Sequence, residues 1–223
     1  MNEEPSHVRR IRSFVRRAGR LTPAQQRALD ELWPKFGIDY SAEPIDFDAT
    51  FGRSAPRILE IGFGNGELLA TMAAAQPDTD FVGIEVHEPG VGHCLLQLEK
   101  LALSNVRLIC HDAIEVLRNQ VPDAALSQVN LFFPDPWPKK RHHKRRIVQP
   151  TFLALIHRKL VDGGRFHVAT DWMNYAEHIE DSINNVDLFE TMEIDAASRP
   201  ETKFELRGKR LGHDIWERAY RRV

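Results

Sequence analysis

Short apolar runs alternate with helical segments along most of the chain, and this alternation restricts the possible folds more than any other feature. Five runs have the composition of buried strands, at residues 57–61, 81–86, 106–110, 129–133 and 165–169. The segments between them show the apolar spacing of helices, as at residues 67–75, 91–103 and 150–160. This order of elements predicts an α/β fold with a largely parallel sheet. The less regular part from residue 187 is expected to supply the last strands.

A different pattern occupies the N-terminal 36 residues. Residues 22–25, TPAQ, form a capping box with proline at the first helical position, so a short helix is expected to begin there. It is predicted to run to about Trp33, with Pro34 and Gly37 ending it. We therefore divide the chain into a basic N-terminal arm with a short helix, residues 1–36, and a larger domain, residues 37–223.

Positive charge is concentrated in two stretches, although the formal net charge is only −2. Residues 139–146 contain six Lys and Arg, and removing both stretches leaves a formal charge of −15 on the rest of the chain. Two basic patches on an acidic body favour binding to a nucleic acid over two ordinary solvated surfaces. Residues 5–29 hold no acidic residue and seven arginines, which are Arg9, Arg10, Arg12, Arg16, Arg17, Arg20 and Arg27.

Other features exclude several classes of protein. The chain has no apolar run of about 18 residues and no apolar N-terminal leader, so neither a membrane span nor a secretory signal is expected. Cys94 and Cys110 are far apart in the chain, which argues against a disulfide framework and for a reducing compartment. We expect a cytoplasmic protein whose two cysteines are packing residues.

A glycine-rich loop follows the first predicted strand. Gly62, Gly64 and Gly66 give the pattern G-x-G-x-G, whereas the dinucleotide fingerprint G-x-G-x-x-G would need glycine at the position of Glu67. Glycines allow a tight turn and a close approach of the backbone to a ligand. With Glu60 and Glu67 beside it, the loop suits a ligand that carries a positive charge, such as a sulfonium or an amino group, better than a phosphate. A plain turn is the alternative.

The ends of the next two strands carry further acidic residues. Glu85 lies 19 residues after Gly66, where it is placed to accept hydrogen bonds from both hydroxyls of a ribose. Asp112 is placed either to accept from an adenine amine or to cap the following helix. These residues together resemble the cofactor site of class I S-adenosylmethionine-dependent methyltransferases. The resemblance implies a Rossmann-like fold, with a mostly parallel sheet of about seven strands and helices on both faces.

The sequence FFPDPWPKKRHHKRR, residues 132–146, follows the fourth predicted strand. Pro134 and Pro136 restrict the backbone around Asp135, so this carboxylate is expected to be held rigidly beside the donor methyl group. A simple turn residue is the alternative interpretation of Asp135. Trp137 offers a face for base stacking, although packing is an equally common role for such a residue.

This stretch is similar to the signature of the bacterial tRNA (guanine-N7-)-methyltransferase family, which modifies a variable-loop guanosine of tRNA. The similarity covers nearly the whole chain and includes EIGFGNGE at 60–67, GIEVHEPGVG at 83–92, CHDA at 110–113, ATDW at 169–172 and TKFELRGKRLGH at 202–213. It implies S-adenosylmethionine as cofactor, S-adenosylhomocysteine as product and tRNA as partner. Members of the family are monomers or homodimers, and the sequence is compatible with both.

The resemblance also assigns site residues, residue by residue. Glu60, Glu85, Asp112 and Asp135 would line the cofactor site together with Gly62, Gly64 and Gly66, and Asp135 would be the catalytic residue. Substrate contacts are implied at Lys139, Asp171 (alternatively a helix cap), Thr202, Lys203, Phe204 and Glu205, and an RNA-interacting segment at Arg141, His142, His143, Lys144, Arg145 and Arg146. The two histidines lack the spacing of a zinc site, so no metal is expected.

The implied chemistry agrees with the residue types. Guanine N7 is an unprotonated acceptor on the major-groove edge, so its attack on a sulfonium methyl needs no general base. Asp135 would stabilise the positive charge that develops on the purine or orient the base through its N–H groups. Two alternatives are kept: another class I enzyme that methylates amino groups of nucleic acids, and a non-catalytic RNA-binding protein with this fold.

Overall fold

The computed structural model describes residues 13–14, 19–194, 199–200, 205 and 214–223. Within these residues, helices flank a central sheet. The strands are β1 Arg57–Ile61, β2 Asp80–Glu85, β3 Val106–Cys110, β4 Leu126–Phe132, β5 Leu160–Thr170, β6 Phe189–Met192 and β7 Trp216–Arg222. The helices are α1 Pro23–Phe36, α2 Phe47–Phe51, α3 Glu67–Ala75, α4 Glu88–Lys100, α5 Ala113–Asn119, α6 Pro150–Lys159 and α7 Met173–Asn184, and a 3₁₀ helix spans Lys140–Arg145.

The described part of the sheet has seven strands in the order β3-β2-β1-β4-β5-β7-β6. Strands β1 to β5 pair in parallel, while β7 pairs antiparallel with β5 and β6. This arrangement confirms the predicted α/β fold with a mostly parallel sheet. The strand order reverses between β1 and β4, and ligands of such sheets bind beyond the carboxyl ends of the strands at that point.

Both faces of the sheet are buried, as continuous apolar strands predict. In β1, Leu59 and Ile61 belong to one apolar cluster, whereas Ile58 belongs to the cluster on the other face. Successive side chains of a strand point to opposite faces, so Glu60 lies on the same face as Ile58. The helices that contribute to that second cluster include α1, α3 and α4.

Among the helices, the boundaries of α1 and α4 differ most from the prediction. Helix α1 continues past Pro34 to Phe36, because a proline in the last turn removes one hydrogen bond while the extra residues bury Phe36 completely. The predicted helix at 91–103 is α4, which begins at Glu88, and Pro89 lies in its first turn, where a missing N–H costs nothing.

Helix α1 packs directly against α4. The Gln25 side chain donates a hydrogen bond to the Pro89 carbonyl at 3.0 Å. A Cβ atom at Gly92 would lie 2.9 Å from the Cβ of Gln25, so glycine permits this close approach. The capping box at Thr22 is present as predicted and fixes where α1 begins. Helix α1 is therefore held on the helical layer that covers β1 and β2.

Candidate active site

The glycine loop at the end of β1 turns through left-handed backbone conformations. Gly62, Gly64 and Gly66 have φ angles of 75°, 58° and 74°. A Cβ at Gly66 would lie 2.2 Å from Sγ of Cys94, so glycine is required there for packing as well. At Gly62 and Gly64 a Cβ would project into open space. These two glycines therefore leave room for a ligand next to the backbone.

The Glu85 carboxylate joins this loop to the end of β2. Its Oε2 accepts a hydrogen bond from Gly64 N–H at 2.9 Å, and its Oε1 accepts from Val86 N–H at 2.7 Å and from His87 N–H at 3.1 Å. A carboxylate offers about four acceptor positions, so these bonds leave about one for a ligand. If Glu85 accepts hydrogen bonds from both ribose hydroxyls, as predicted, its carboxylate must do so in addition to these three backbone bonds.

Glu60 is buried in the interior of the sheet, with 3% of its surface exposed. Burial raises the pKa of Glu60 to about 8, an effect that the Arg199 charge opposes and the Glu85 charge increases. Its Oε2 atom has no hydrogen-bond partner within the described part of the chain. A buried acceptor of this kind is stabilised by a cationic or N–H donor, so Glu60 and the open space at Gly62 and Gly64 fit a cofactor with sulfonium and amino groups.

A cavity of about 220 Å³ opens at the switch point, and we call it the first cavity. Three of the predicted site residues line it, namely Gly62, Glu85 and Asp135. Glu60, Gly64 and Gly66 do not line this cavity, although they lie within four residues of Gly62 in the sequence. The sequence did not predict the rest of the wall, which consists of Ser13, Phe14, Ile61, Ile84, Val86, His111, Ala113, Leu131, Phe132, Phe133, Pro134 and Ile147.

The backbone around Asp135 is sharply bent on both sides. Phe133 and Trp137 have φ angles of 51° and 45°, a region that costs a bulky residue about 1–3 kcal/mol. The Phe133 N–H is fixed by the Ala169 carbonyl at 2.8 Å. The Trp137 indole N–H donates to the Ser13 carbonyl at 3.0 Å. These contacts hold Asp135 at the rim of the first cavity, exposed and without a hydrogen bond or ion pair to another described residue.

One face of the Trp137 ring, which was predicted to be available for base stacking, is covered by a cation. The Arg145 guanidinium lies 3.8 Å from the ring centroid and donates to the Phe14 carbonyl at 3.1 Å. His142 contacts the same ring edge-on at 5.8 Å. In this arrangement Trp137 supports the loop and the arm residues 13–14, and this is the packing role that the sequence left open.

Asp112 acts as a helix cap. Its side chain accepts a hydrogen bond from Ile114 N–H at 2.9 Å at the start of α5. It lines a second cavity beside the first one. The cap interpretation is therefore confirmed, and the contact with an adenine amine stays a prediction.

Residues 139–146, which we call the basic segment, form the 3₁₀ helix and its two flanking residues. Four of its cations, Lys139, Lys140, Arg141 and Lys144, are exposed and available to a polyanion. We call Lys139, Arg141 and Lys144, the three of them for which an RNA contact is predicted, the exposed basic set. The pKa of His142 is lowered, first by desolvation and then by the surrounding cations. A largely uncharged imidazole is therefore expected at neutral pH.

Arg146 does not share this exposure. Only 2% of its surface is accessible, and its guanidinium donates to the Pro136 carbonyl at 2.9 Å and to the Asn174 side-chain oxygen at 2.8 Å. The guanidinium also lies 4.9 Å from the centroid of the Tyr175 ring. The guanidinium thus already donates to acceptors of the protein, and the phosphate contact of Arg146 stays a prediction. We assign Arg146 to fixing the loop that carries Asp135.

Glu205 is also buried, at 4% exposure. Both of its carboxylate oxygens accept hydrogen bonds from Arg199, at 2.5 and 2.6 Å. Arg199 also bonds both oxygens of Glu217 on β7, at 2.9 and 2.8 Å, and lies 4.8 Å from the Phe132 ring centroid. Glu205 therefore belongs to an ion-pair network that anchors this part of the chain beside β4, and its contact with substrate stays a prediction. Thr202, Lys203 and Phe204 lie outside the described residues.

Asp171 follows β5 at the same edge of the sheet and is partly buried. The N-cap position of α7 is Trp172, so Asp171 is not the cap residue. Trp172 is 38% exposed, and the sequence did not single it out.

Within the described ranges, no group of His, Cys, Asp and Glu has the arrangement of a metal site. No described helix has the length and apolar character needed to cross a membrane.

Known structures share this architecture. The chain resembles the 16S rRNA methyltransferase KamB with a TM-score of 0.58 at 15% identity, over 81% of this chain and 95% of that one. It also resembles the aminoglycoside resistance methyltransferase NpmB1 with a TM-score of 0.55 at 14% identity, over 80% and 92% of the two chains. The family described as putative methyltransferase matches residues 54–218. The strand order shows a Rossmann-like fold, and the family match identifies the chain as a class I methyltransferase.

Relatives in sequence are far more similar. The tRNA (guanine-N(7)-)-methyltransferase of Photorhabdus laumondii is 55% identical over 100% of this chain and 95% of its own length. The enzyme of the same name from Aeromonas hydrophila is 52% identical over 100% of this chain and 96% of its own. The chain belongs to the tRNA (guanine-N(7)-)-methyltransferase family, as the motifs predict.

Proposed function

We propose that this protein transfers a methyl group from S-adenosylmethionine to N7 of a guanosine in the variable loop of tRNA, giving 7-methylguanosine. The observation that carries the proposal is the rigid, exposed Asp135 at the rim of the first cavity, with the exposed basic set directly after it in the chain. Membership of the family supports the same reaction.

The cofactor would be held by residues at the ends of β1 and β2. Glu60 supplies a buried acceptor for a cationic group, the open backbone at Gly62 and Gly64 gives close access, and Glu85 accepts from the ribose. When bound, S-adenosylmethionine supplies an electrophilic methyl group on its sulfonium. The apolar wall of the first cavity, including Leu131 and Phe132, excludes water from the methyl group.

Asp135 has the role of a fixed negative charge. Guanine N7 carries a lone pair and no proton, so no residue has to accept a proton from it. What the protein provides is alignment of N7 with the methyl group and a carboxylate near the purine as positive charge develops on the ring. A carboxylate that is held beforehand does this without reorganising during the reaction, and the bends at Phe133 and Trp137 hold Asp135 in that way.

The exposed basic set would receive the phosphates of the tRNA. Phosphate contacts position a nucleic acid without reading its sequence, so these cations fix the register of the RNA relative to Asp135. The remaining candidate, Asp171, lies at the end of β5 on the same edge of the sheet and would contact the guanine. A tRNA substrate also agrees with the predicted cytoplasmic location and reduced cysteines.

Two tRNA transcripts test the proposal. Transfer of labelled methyl from S-adenosylmethionine should occur on an unmodified transcript and should be lost when its variable-loop guanosine is replaced by adenosine. Equal labelling of both transcripts would contradict the choice of base and favour an amino-methylating enzyme. Tight tRNA binding with no labelling of either would favour the non-catalytic RNA-binding alternative.

A further inference from the structure

A second cavity, of about 170 Å³, adjoins the first one. The two share Ser13 and Ile147 in their walls, and Asp112 and Ala113 line one each as chain neighbours. This volume is below the range of about 300–1,000 Å³ that is typical of sites for whole small molecules. The second cavity therefore suits a small group that belongs to a larger ligand.

Helix periodicity explains how its walls come together. Ile114 and Arg118 are four residues apart on α5, and Thr151 and Leu155 are four residues apart on α6, so each pair lies on one face of its helix. These two faces form the sides of a groove. Lys144 and Arg145 of the basic segment contribute a further wall.

The polar lining is mainly cationic. Arg118 is exposed and has no hydrogen bond or ion pair with any other described residue, and the same is true of Lys144. Most exposed arginines elsewhere are paired; Arg158, for example, lies 3.3 Å from Asp123. Arg145 and Arg146 add two further positive charges, although the Arg146 guanidinium is already bonded to protein acceptors, and the Asp112 carboxylate is engaged by the N–H of Ile114. The lining thus carries four cations and one carboxylate, which favours an anion.

We propose that the second cavity binds a backbone phosphate of the tRNA, on a nucleotide next to the guanosine that enters the first cavity, and that Arg118 is a substrate-binding residue. This inference rests on the proposed function, because it takes the ligand of the first cavity to be a tRNA base. Arg118 lies on α5, outside the basic segment, so the site extends the RNA surface onto a second element. The phosphate fixes the strand on one side of the reacting base.

The test compares Arg118→Gln with Arg158→Gln, which removes the same charge from an exposed arginine in the last turn of α6. Binding of unmodified tRNA is measured by fluorescence anisotropy between 50 and 200 mM salt, together with steady-state methylation kinetics. Arg118→Gln should make the negative slope of log K against log salt less steep by about 0.9. The affinity of the wild type relative to this variant should therefore fall about 3.5-fold between 50 and 200 mM salt. KM for tRNA should rise, KM for S-adenosylmethionine and kcat should stay unchanged, and Arg118→Lys should restore most of the affinity.

Arg118→Gln with the same salt slope and KM as Arg158→Gln would overturn the phosphate site. A higher KM for S-adenosylmethionine with tRNA binding unchanged would also overturn it, because the cavity would then serve the cofactor. Failure of the wild-type protein to methylate tRNA would instead refute the proposed function, and the binding comparison still decides whether the second cavity holds RNA. Equal melting temperatures of the variants exclude a folding defect.

Discussion

Replacing Glu60 by glutamine tests the electrostatics at the centre of the site. Burial moves the pKa of Glu60 from its ordinary value of 4.5 to about 8. Between these values the unfolded chain carries an ionised Glu60 while the folded chain keeps the proton. Unfolding therefore releases a proton, and stability falls as the pH rises. The contribution of Glu60 is present in full below pH 4.5 and is lost above pH 8.

The size of this loss follows from the pKa difference. A change from 4.5 to about 8 corresponds to about 5 kcal/mol. Glu60→Gln cannot ionise, so its free energy of unfolding should exceed that of the wild type increasingly as the pH rises from 5 to 8.5. The control is Glu43→Gln, an exposed position at which the same charge is removed. Urea denaturation at pH 5, 6.5 and 8.5 measures all three proteins.

Cofactor binding should show the opposite dependence on pH. A cationic group binds the ionised form of Glu60, so binding to the folded protein releases a proton below pH 8. The dissociation constant of S-adenosylmethionine should therefore fall as the pH rises towards 8 and level off above it, and Glu60→Gln should lose this dependence. Calorimetric titration gives both quantities. Parallel pH profiles for wild type, Glu60→Gln and Glu43→Gln would refute a buried, neutral Glu60.

Three further sets of variants test the methyl transfer, the binding of tRNA and the stability of the fold. Asp135→Ala should lower kcat about 10²–10³-fold while tRNA binding is retained, and near-normal turnover of labelled methyl would count against its role. Changing the three residues of the exposed basic set to glutamine should make the negative slope of log K against log salt for tRNA binding less steep by about 3. An unchanged slope would mean that these cations do not contact phosphate. Arg199→Met should destabilise the protein by about 3–5 kcal/mol in urea, because it leaves buried carboxylates unpaired. Arg221→Met, which breaks the exposed pair with Glu190, should cost at most about 1 kcal/mol, and equal losses would refute the network.

Local patterns in the sequence predicted most of the fold. Strand β1 and helix α3 have the predicted bounds, because apolar runs and glycine signals are properties of neighbouring residues. The end of α1 was wrong because burial of Phe36, a tertiary effect, outweighs the hydrogen bond lost at Pro34. Spacing alone contains no information about that burial.

The site was predictable where residues lie at the ends of parallel strands. Gly62, Glu85 and Asp135 line one cavity because the carboxyl ends of β1, β2 and β4 lie on one edge of the sheet. The burial of Arg146 and Glu205 was not predicted, because charge in a sequence does not reveal burial. Arg146 bonds Asn174, 28 residues away, and Glu205 bonds Arg199, 6 residues away. The proposed role of Arg118 could not be predicted for the same reason, since the groove exists only once α5 and α6 pack together.

Mass spectrometry of nucleosides tests the central claim most directly. Unmodified tRNA is incubated with the protein and S-adenosylmethionine, digested, and compared with a digest from the Asp135→Ala protein. The account predicts one new nucleoside, 7-methylguanosine, in the wild-type digest and its near absence in the variant digest. A methylated exocyclic amine or ring N1 in place of 7-methylguanosine would contradict it.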